Sequence, residues 1–451
     1  MTHDCVIVGA GPAGMAAASL LARHGADVVV LDEQPAPGGQ IWRGIEAADA
    51  GLRAVLGGEY AAGAAAVAEF RASGASYRPG QSVWNITPEL DVWTTPADGA
   101  GHLRGRTVLL AVGAMERPVP IPGWTLPGAM GAGGVQILLK SANLLPQGLV
   151  LAGQGPLLYQ LATQCIAAGA PPAAILDAAR PADVWPALRL LRPAALPYLH
   201  KGLLLQGTIR AAGIPWYRGV TRLRLLGGDA VAGVRFHSGG QDTEIAANLV
   251  ALHDGVIPAQ HAARVAGCTH RWDAAQACFH PVLDAWGSAT VPGLLVAGDA
   301  GGIGGAAAAV HQGRIAAADI LRRLGRLDEA GRDRLAAADR RALARHLAIR
   351  PFLDRRYRPI ALVPDDSVTV CRCEEVTAAD LRAAVAMGCQ GPNQAKSFTR
   401  AGMGPCQGRM CGTTVTTVLA AALGRPPGDV GHARVRPPLK PITVGELAEA
   451  T

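Results

Sequence analysis

Short apolar runs that end on glycine organise the first third of the chain. Residues 6–8 are aliphatic and lead into Gly9-Ala-Gly11-Pro12-Ala13-Gly14. Residues 15–23 have a helical composition, and Gly25 stands where a helix C-cap belongs. A second apolar run, 28–31, closes on Asp32 and Glu33. The pattern predicts strand, glycine turn, helix, strand. Residues 44–110 read as helix mixed with a small sheet, and 108–112 as a further buried strand reaching Ala111 and Gly113.

A second cycle begins at 149. An apolar run precedes Gly153-Gln-Gly155-Pro-Leu-Leu158, a helix is expected to about residue 168, and a strand at 174–176 ends on Asp177. A third strand, turn and helix comes late, with 294–297 before Gly298-Asp299, a glycine-rich turn, and a helix from about residue 306. The fold class expected is α/β, with two nested Rossmann-like dinucleotide-binding domains and a small helical C-terminal module. The first domain would comprise residues 1–115 and 250–325, and the second 116–249. Residues 326–365 would form a helical linker, 366–423 the C-terminal module, and 424–451, with several prolines, an extended tail.

The chain has 451 residues, too many for one core. Its 49% hydrophobic and 17% charged content is that of a globular protein. The net charge of +7 comes from scattered arginines, and aromatics are only 4%, so no basic stripe with stacking residues suggests nucleic acid as a partner. Residues 5–22 carry no charge, but they follow Asp4 without a basic region and are broken by the glycines of the first turn. A cytoplasmic location is therefore expected, with peripheral attachment to the inner membrane left open.

The first turn has the context a dinucleotide needs, with a strand before, a helix after, and an acid 18 residues past the last glycine. Gly9 permits the tight turn, Gly11 lets the backbone approach a pyrophosphate, and Gly14 lets helix and strand pack closely. Pro12 and Ala13 open the helix whose N-terminus would face the phosphates. Asp32, or Glu33 next in line, would accept from ribose hydroxyls. Gly38-Gly39-Gln40 offers a second backbone approach, and Arg43 a cation for the pyrophosphate. Asp299 would reach a ribitol hydroxyl, and Gln312 the flavin ring. These segments together argue FAD and resemble the flavoprotein superfamily related to glutathione reductase.

The second turn has Leu158 where a third glycine would stand. Gly153, Gly155 and Asp177 are its candidate binding residues. NAD(P), an adenine nucleotide such as ATP in a structural role, and no ligand remain three readings. None of Cys5, Cys165, Cys268, Cys278 and Cys389 makes a C-x-x-C pair, so disulfide reductase chemistry is not expected.

The remaining four of nine cysteines form Cys371-Arg-Cys373, 32 residues, then Cys406-x4-Cys411. Two close pairs of thiolates suit a [2Fe-2S] cluster or a tetrahedral zinc. The C-x-C pair and nearby Arg372, Lys396, Arg400 and Arg409 favour iron–sulfur over zinc. Thr377 with Asp380 would cap a helix between the pairs.

The glycine turn 8–15, the run Asp32 to Gln40, Gly113 to Pro118, Pro122 to Gly128, and the two cysteine segments 371–376 and 402–411 together resemble one family. It is that of the alpha subunits of hetero-oligomeric amino-acid dehydrogenases, which includes opine oxidases, D-hydroxyproline dehydrogenase, hydrogen cyanide synthase and archaeal L-proline dehydrogenases. The cysteine module is similar to bacterioferritin-associated ferredoxin, whose second pair is spaced C-x2-C rather than the C-x4-C found here. The resemblance implies a partner beta subunit similar to D-amino-acid oxidases, which oxidises the substrate. This chain would receive the electrons, with an FMN at the subunit interface as a further cofactor. It would pass them to a quinone or other acceptor, and a small ferredoxin-like subunit is a further partner. No acid–base catalyst is assigned. His253, His280 and His311 read as structural, and Glu116-Arg117 as a domain junction.

Overall fold

The computed structural model describes residues 2–95, 101–360 and 362–449. The aliphatic run near the N-terminus forms the strand Thr2–Val8, the centre of a parallel sheet. Val28–Leu31 pairs with it on one side and His102–Leu110 on the other. Ser76–Arg78 extends the sheet beyond Val28–Leu31, and Leu294–Val296 pairs parallel with His102–Leu110. Val83–Ile86 and Asp91–Thr94 add an antiparallel meander to the same long strand. The helices Pro12–Arg23 and Ala306–Arg323 lie together on one face. They touch backbone to backbone, since a Cβ on Gly313 would stand 2.1 Å from the Ala13 carbonyl oxygen.

A second sheet is inserted between His102–Leu110 and Leu294–Val296. Its order is Trp216–Arg218, Ala174–Asp177, Val150–Gln154, Val250–Asp254, Ala129–Gly131, all parallel. An antiparallel sheet of Thr221–Gly227, Val231–Ser238 and Gln241–Ala246 packs beside it. Residues 250–254, expected in the first domain, therefore lie in the second sheet. The strand is buried at every position and has parallel partners on both sides, so its hydrophobicity fits either sheet equally. The units are joined by the antiparallel pair Ala114–Glu116 and Val256–Pro258.

Glu329–Leu347 packs on Ala306–Arg323, and Arg350–Arg356 follows it. The C-terminal module starts with the hairpin Thr369–Cys371 and Val376–Thr377. The helices Ala378–Ala386, Pro392–Thr399 and Gly412–Leu423 surround a core of Val370, Leu381, Cys389, Val418 and Leu419. Thr377 and Asp380 form the expected capping box. Residues past 423, expected as an extended tail, include the short helices Pro427–Val430 and Val444–Glu449. Between them the chain crosses back to the first unit. There Leu439 is buried against Val92 and Leu103 and donates its N–H to the Trp84 carbonyl at 2.7 Å. No helix of the described residues is long and apolar enough to cross a membrane.

Candidate functional site

The first glycine turn sits at the carboxyl end of Thr2–Val8. A Cβ on Gly9 would lie 2.5 Å from the Ala111 carbonyl oxygen, and one on Gly14 1.9 Å from that of Gly9. Gly9 also has φ +105°. Both glycines are therefore demanded by the protein's own packing. Gly11 is different. Its φ is −79°, and a Cβ there would meet only the Gly39 Cα, at an ordinary 3.8 Å. Nothing within the chain needs glycine at 11, and a molecule lying against this turn would. The helix that starts at Pro12 has no side-chain cap on its N-terminus, which leaves first-turn N–H groups, including that of Ala13, for an anion.

Asp32 is buried beneath this turn. Its Oδ2 accepts the Ala10 N–H at 2.6 Å and its Oδ1 accepts the Gln34 N–H at 2.8 Å. Burial raises its pKa, and the two N–H donors oppose that rise. Glu33 points outward and pairs with Lys440 of the C-terminal segment. Gly39 (φ +59°) backs directly onto Gly11. Arg43 donates to the Gln34 Oε1 at 2.6 Å, while its buried Nε has no partner among the described residues. Lys140, from the second unit, donates to the Gln40 carbonyl and to Gln136 Oε1, each at 3.0 Å. Burial, helped by repulsion from Arg43, pulls its pKa down to about 8. Two cations thus converge on the loop that backs the glycine turn.

Ala111 packs on Gly9, and the carbonyl of Gly113 (φ +67°) accepts the Ala259 N–H. Gly298 (φ +74°) sits over Ala13, where a Cβ on it would stand 3.1 Å from the Ala13 Cβ. Asp299 Oδ1 accepts the N–H groups of Gly304 and Gly305, both at 2.8 Å, and its Oδ2 has no hydrogen bond among the described residues. The following helix carries Gln312, whose buried Oε1 is likewise without a partner. Gln312 lines a cavity of about 320 Å³ with Gln276, Gly302, Ile303, Arg350 and Asp354. The fold thus gathers Gly9, Gly11, Gly14, Gly39, Ala111 and Gly298 around the start of the helix Pro12–Arg23. An uncapped helix start, a glycine with no internal reason, and orphaned polar atoms on Arg43 and Gln312 fit an extended dinucleotide.

The second turn is built otherwise. A Cβ on Gly153 would lie 1.8 Å from the His253 carbonyl oxygen, and Gly155 has φ +110°. Leu158 is fully buried under the helix Pro156–Ala167. Asp177 is buried with both oxygens engaged, Oδ2 by the Tyr159 hydroxyl at 2.7 Å and Oδ1 by the Ala179 N–H at 2.9 Å.

The cysteine residues 371, 373, 406 and 411 come together in two pairs. Cys411 donates to Cys371, whose pKa that bond holds down to about 6. Gly402 N–H also donates to Cys371 Sγ, at 3.4 Å. Cys373 lies against Cys406, and Cys411 is pushed well up by its bond to Cys371, by burial, and by the charges of all three other thiols. No disulfide joins them, and among the described residues no three His, Cys, Asp or Glu groups surround one point closely enough for a single metal ion. Cys373 alone is exposed. The loop touches the first unit where Gln407, next to Cys406, offers its carbonyl to His261 at 3.1 Å.

His253 bonds Glu116 at 2.6 Å and His311 bonds Asp339 at 2.6 Å, while His280 contacts Cys278. Glu116 also accepts the Gly133 N–H, and Arg117 donates to the Gln276 and Ala277 carbonyls, so this pair spans the junction between units. Sequence reasoning missed Lys140 and Lys440, whose roles rest on contacts with distant segments.

Residues 3–313 match the family model described as pyridine nucleotide-disulphide oxidoreductase, and residues 367–451 match the sarcosine oxidase A3 domain. The chain is 47% identical to the A subunit of opine oxidase from Rhizobium meliloti (strain 1021), over 99% of this chain and 98% of that one. It is 33% identical to the HcnB subunit of hydrogen cyanide synthase from Pseudomonas protegens, over 98% and 97%. The crystal structure of L-proline dehydrogenase from P. horikoshii superposes with a TM-score of 0.73 at 19% identity, covering 99% of this chain and 79% of that one, which shows a shared fold. With two thirds of its length in the first family model and nearly half its residues shared end to end with a relative, the chain belongs to the FAD-dependent oxidoreductase family that includes the A subunits of opine oxidases.

Proposed function

We propose that this chain is the electron-transfer alpha subunit of a multi-subunit, flavin-dependent amino-acid or imino-acid dehydrogenase of the opine or hydroxyproline type. The observation that carries the reading is the mounting of the four-thiol loop on the first dinucleotide unit, through Gln407 and His261. Gly9 to Gly14, Asp32, Glu33, Gly39, Gln40, Arg43, Ala111, Gly113, Gly298, Asp299 and Gln312 would hold FAD. Two thiol pairs, Cys371 with Cys411 and Cys373 with Cys406, suit a [2Fe-2S] cluster, in which each iron takes two thiolates. Bound there, FAD would take up an electron pair and the cluster would hand electrons on singly. The chain's own residues hold the charges in place. Helix N–H groups at Pro12–Arg23 and Ala306–Arg323 would meet the anionic parts of the dinucleotide, and Gly402 N–H steadies the Cys371 sulfur.

Substrate oxidation is assigned to a partner similar to D-amino-acid oxidases, with an FMN at the interface, and a quinone or other carrier as acceptor. A small ferredoxin-like subunit would complete the assembly. The relatives are themselves named as subunits of an oxidase and a synthase, which supports a multi-subunit setting. The test is iron, sulfide and flavin content of the anaerobically purified chain, with EPR after dithionite, and turnover of the complex carrying Cys406→Ser. About two irons and two sulfides per chain and a rhombic signal are expected. The variant should lose both, keep its FAD, and drop turnover by about tenfold or more. One zinc per chain, or turnover that survives Cys406→Ser, would reject the relay.

A further inference from the structure

Folds such as the second dinucleotide unit take their ligand in a crevice at the carboxyl ends of the parallel strands, here the ends of Val150–Gln154, Ala174–Asp177 and Val250–Asp254. In this chain the crevice is crossed by residues 355–360, the stretch that leads from the helix Arg350–Arg356 to the cysteine module. Five contacts pin it along the line a dinucleotide would follow. At the glycine turn, the Gln154 side-chain amide donates to the Arg358 carbonyl, and also to Asp254 Oδ1 at 2.8 Å. Above the neighbouring strand, Asp254 Oδ2 accepts the Ile360 N–H at 2.8 Å. At the ribose end, Tyr357 packs on the unit's core and hydrogen-bonds Tyr159, whose hydroxyl engages Asp177. Beyond Asp177, Arg355 pairs with Asp183 at 2.5 Å and Arg356 donates to the Arg180 carbonyl.

We propose that residues 355–360 are a built-in occupant of this crevice, and that they fix the chain's specificity at one dinucleotide rather than two. A nicotinamide or adenine nucleotide would have to displace a segment that already satisfies Gln154 and Asp254. Asp177, the acid that would receive a ribose, has no free oxygen. Both carboxylates that face the crevice are buried, and displacing the strap would strip Asp254 of the Ile360 N–H inside the protein. The glycines are retained for internal reasons, φ at Gly155 and the His253 carbonyl at Gly153. The strap also explains how the cysteine module is delivered. The same residues that close the crevice anchor the chain just before it turns into the module.

The test uses the full chain with its first site loaded with FAD. NADH, NADPH, ATP and ADP are titrated by calorimetry, and amide exchange of the peptide containing Ile360 is followed by mass spectrometry. No saturable binding below about 1 mM is expected, and the Ile360 amide should exchange slowly. Gln154→Ala, which removes the anchor without touching a glycine, should speed that exchange by about tenfold. Saturable binding of any of the four nucleotides below that concentration overturns the proposal. So does unchanged exchange in Gln154→Ala. The relay proposed above fails separately, on iron content and on turnover of the Cys406→Ser complex. A nucleotide that bound without reducing the flavin would overturn only the strap.

Discussion

Gly11 in the first unit and Gly155 in the second hold equivalent places. Each is the second glycine of a turn between a buried strand and a helix that opens with proline. Gly11 has an ordinary negative φ, and its Cβ would meet only the Gly39 Cα, at an ordinary contact distance. Gly155 has φ +110°, a conformation that L side chains rarely adopt. The glycine of the first unit is thus explained by something outside the chain, and that of the second by the backbone itself. The acids differ in the same sense. Asp32 braces the glycine turn through backbone N–H donors alone, whereas Asp177 is shared with the side chain of Tyr159. Around the first turn, buried atoms of Arg43 and Gln312 lack partners among the described residues; around the second, residues 355–360 supply them. A dinucleotide motif can therefore be kept for its fold after its ligand site has been put to another use.

The sharpest way to break this comparison is to place alanine at both positions. Gly11→Ala should cost the apo-protein less than about 0.5 kcal/mol, because the backbone and the space both accept it. It should nevertheless lower retained FAD by about tenfold or more, read as flavin absorbance per chain after desalting, because the methyl group stands where the pyrophosphate approaches. Gly155→Ala should do the reverse, costing about 1–3 kcal/mol in urea unfolding with flavin content unchanged. If Gly11→Ala kept its full flavin, the first turn would not be a pyrophosphate site.

The elements on which this contrast stands were legible in the sequence. Aliphatic runs ending on Gly9, Gly153 and Gly298 announced strands followed by turns, because unbroken apolar runs and φ-positive glycines are local properties. What was not legible is set by distant contacts. Val250–Asp254 is buried whichever sheet it joins, so only its pairing with Val150–Gln154 assigns it. The spacing of the cysteines announced two pairs, but sequence neighbours are not the hydrogen-bonded partners. Cys371 meets Cys411 and Cys373 meets Cys406, which requires the intervening helices to fold back. The missing third glycine at Leu158 hinted at a changed second site, yet the segment that fills it lies about two hundred residues further on. The prolines of the tail read as extended chain, and nothing local marks Leu439 as a core residue of the first unit.

Lys140 offers a smaller effect that probes the joint between the two units. It rises from the helix Ala132–Ala142 and donates to the Gln40 carbonyl beside the first turn. Burial lowers its pKa from 10.5 to about 8. Below that value it is protonated in both states. Between about 8 and 10.5 the unfolded chain binds a proton that the folded chain does not, so this residue makes stability rise with pH. The slope reaches at most about 1.4 kcal/mol per pH unit. Lys140→Met should therefore flatten the difference in urea midpoints measured between about pH 8 and pH 10. An unchanged slope would mean the amine stays charged in the fold.

The smallest effect is expected at Gln312, and it separates the two units most finely. Its Oε1 is buried and unpartnered among the described residues, a state that costs about 1–3 kcal/mol for a neutral polar group. Gln154, a buried glutamine of the second unit, has its amide engaged with Asp254 and Arg358. Removing the polar atom should then have opposite signs. Gln312→Leu should leave the apo-protein as stable as before, or stabilise it by about 1 kcal/mol, while weakening FAD retention by a few-fold. Gln154→Leu should destabilise the apo-protein and leave flavin retention alone, because it strands Asp254 and the Arg358 carbonyl inside the protein. Unfolding curves of the two apo-variants, with flavin dissociation measured on the same preparations, give the comparison directly. If both variants lost stability equally, the orphaned oxygen of Gln312 would be satisfied within the chain, and its support for a flavin in the first cleft would fall.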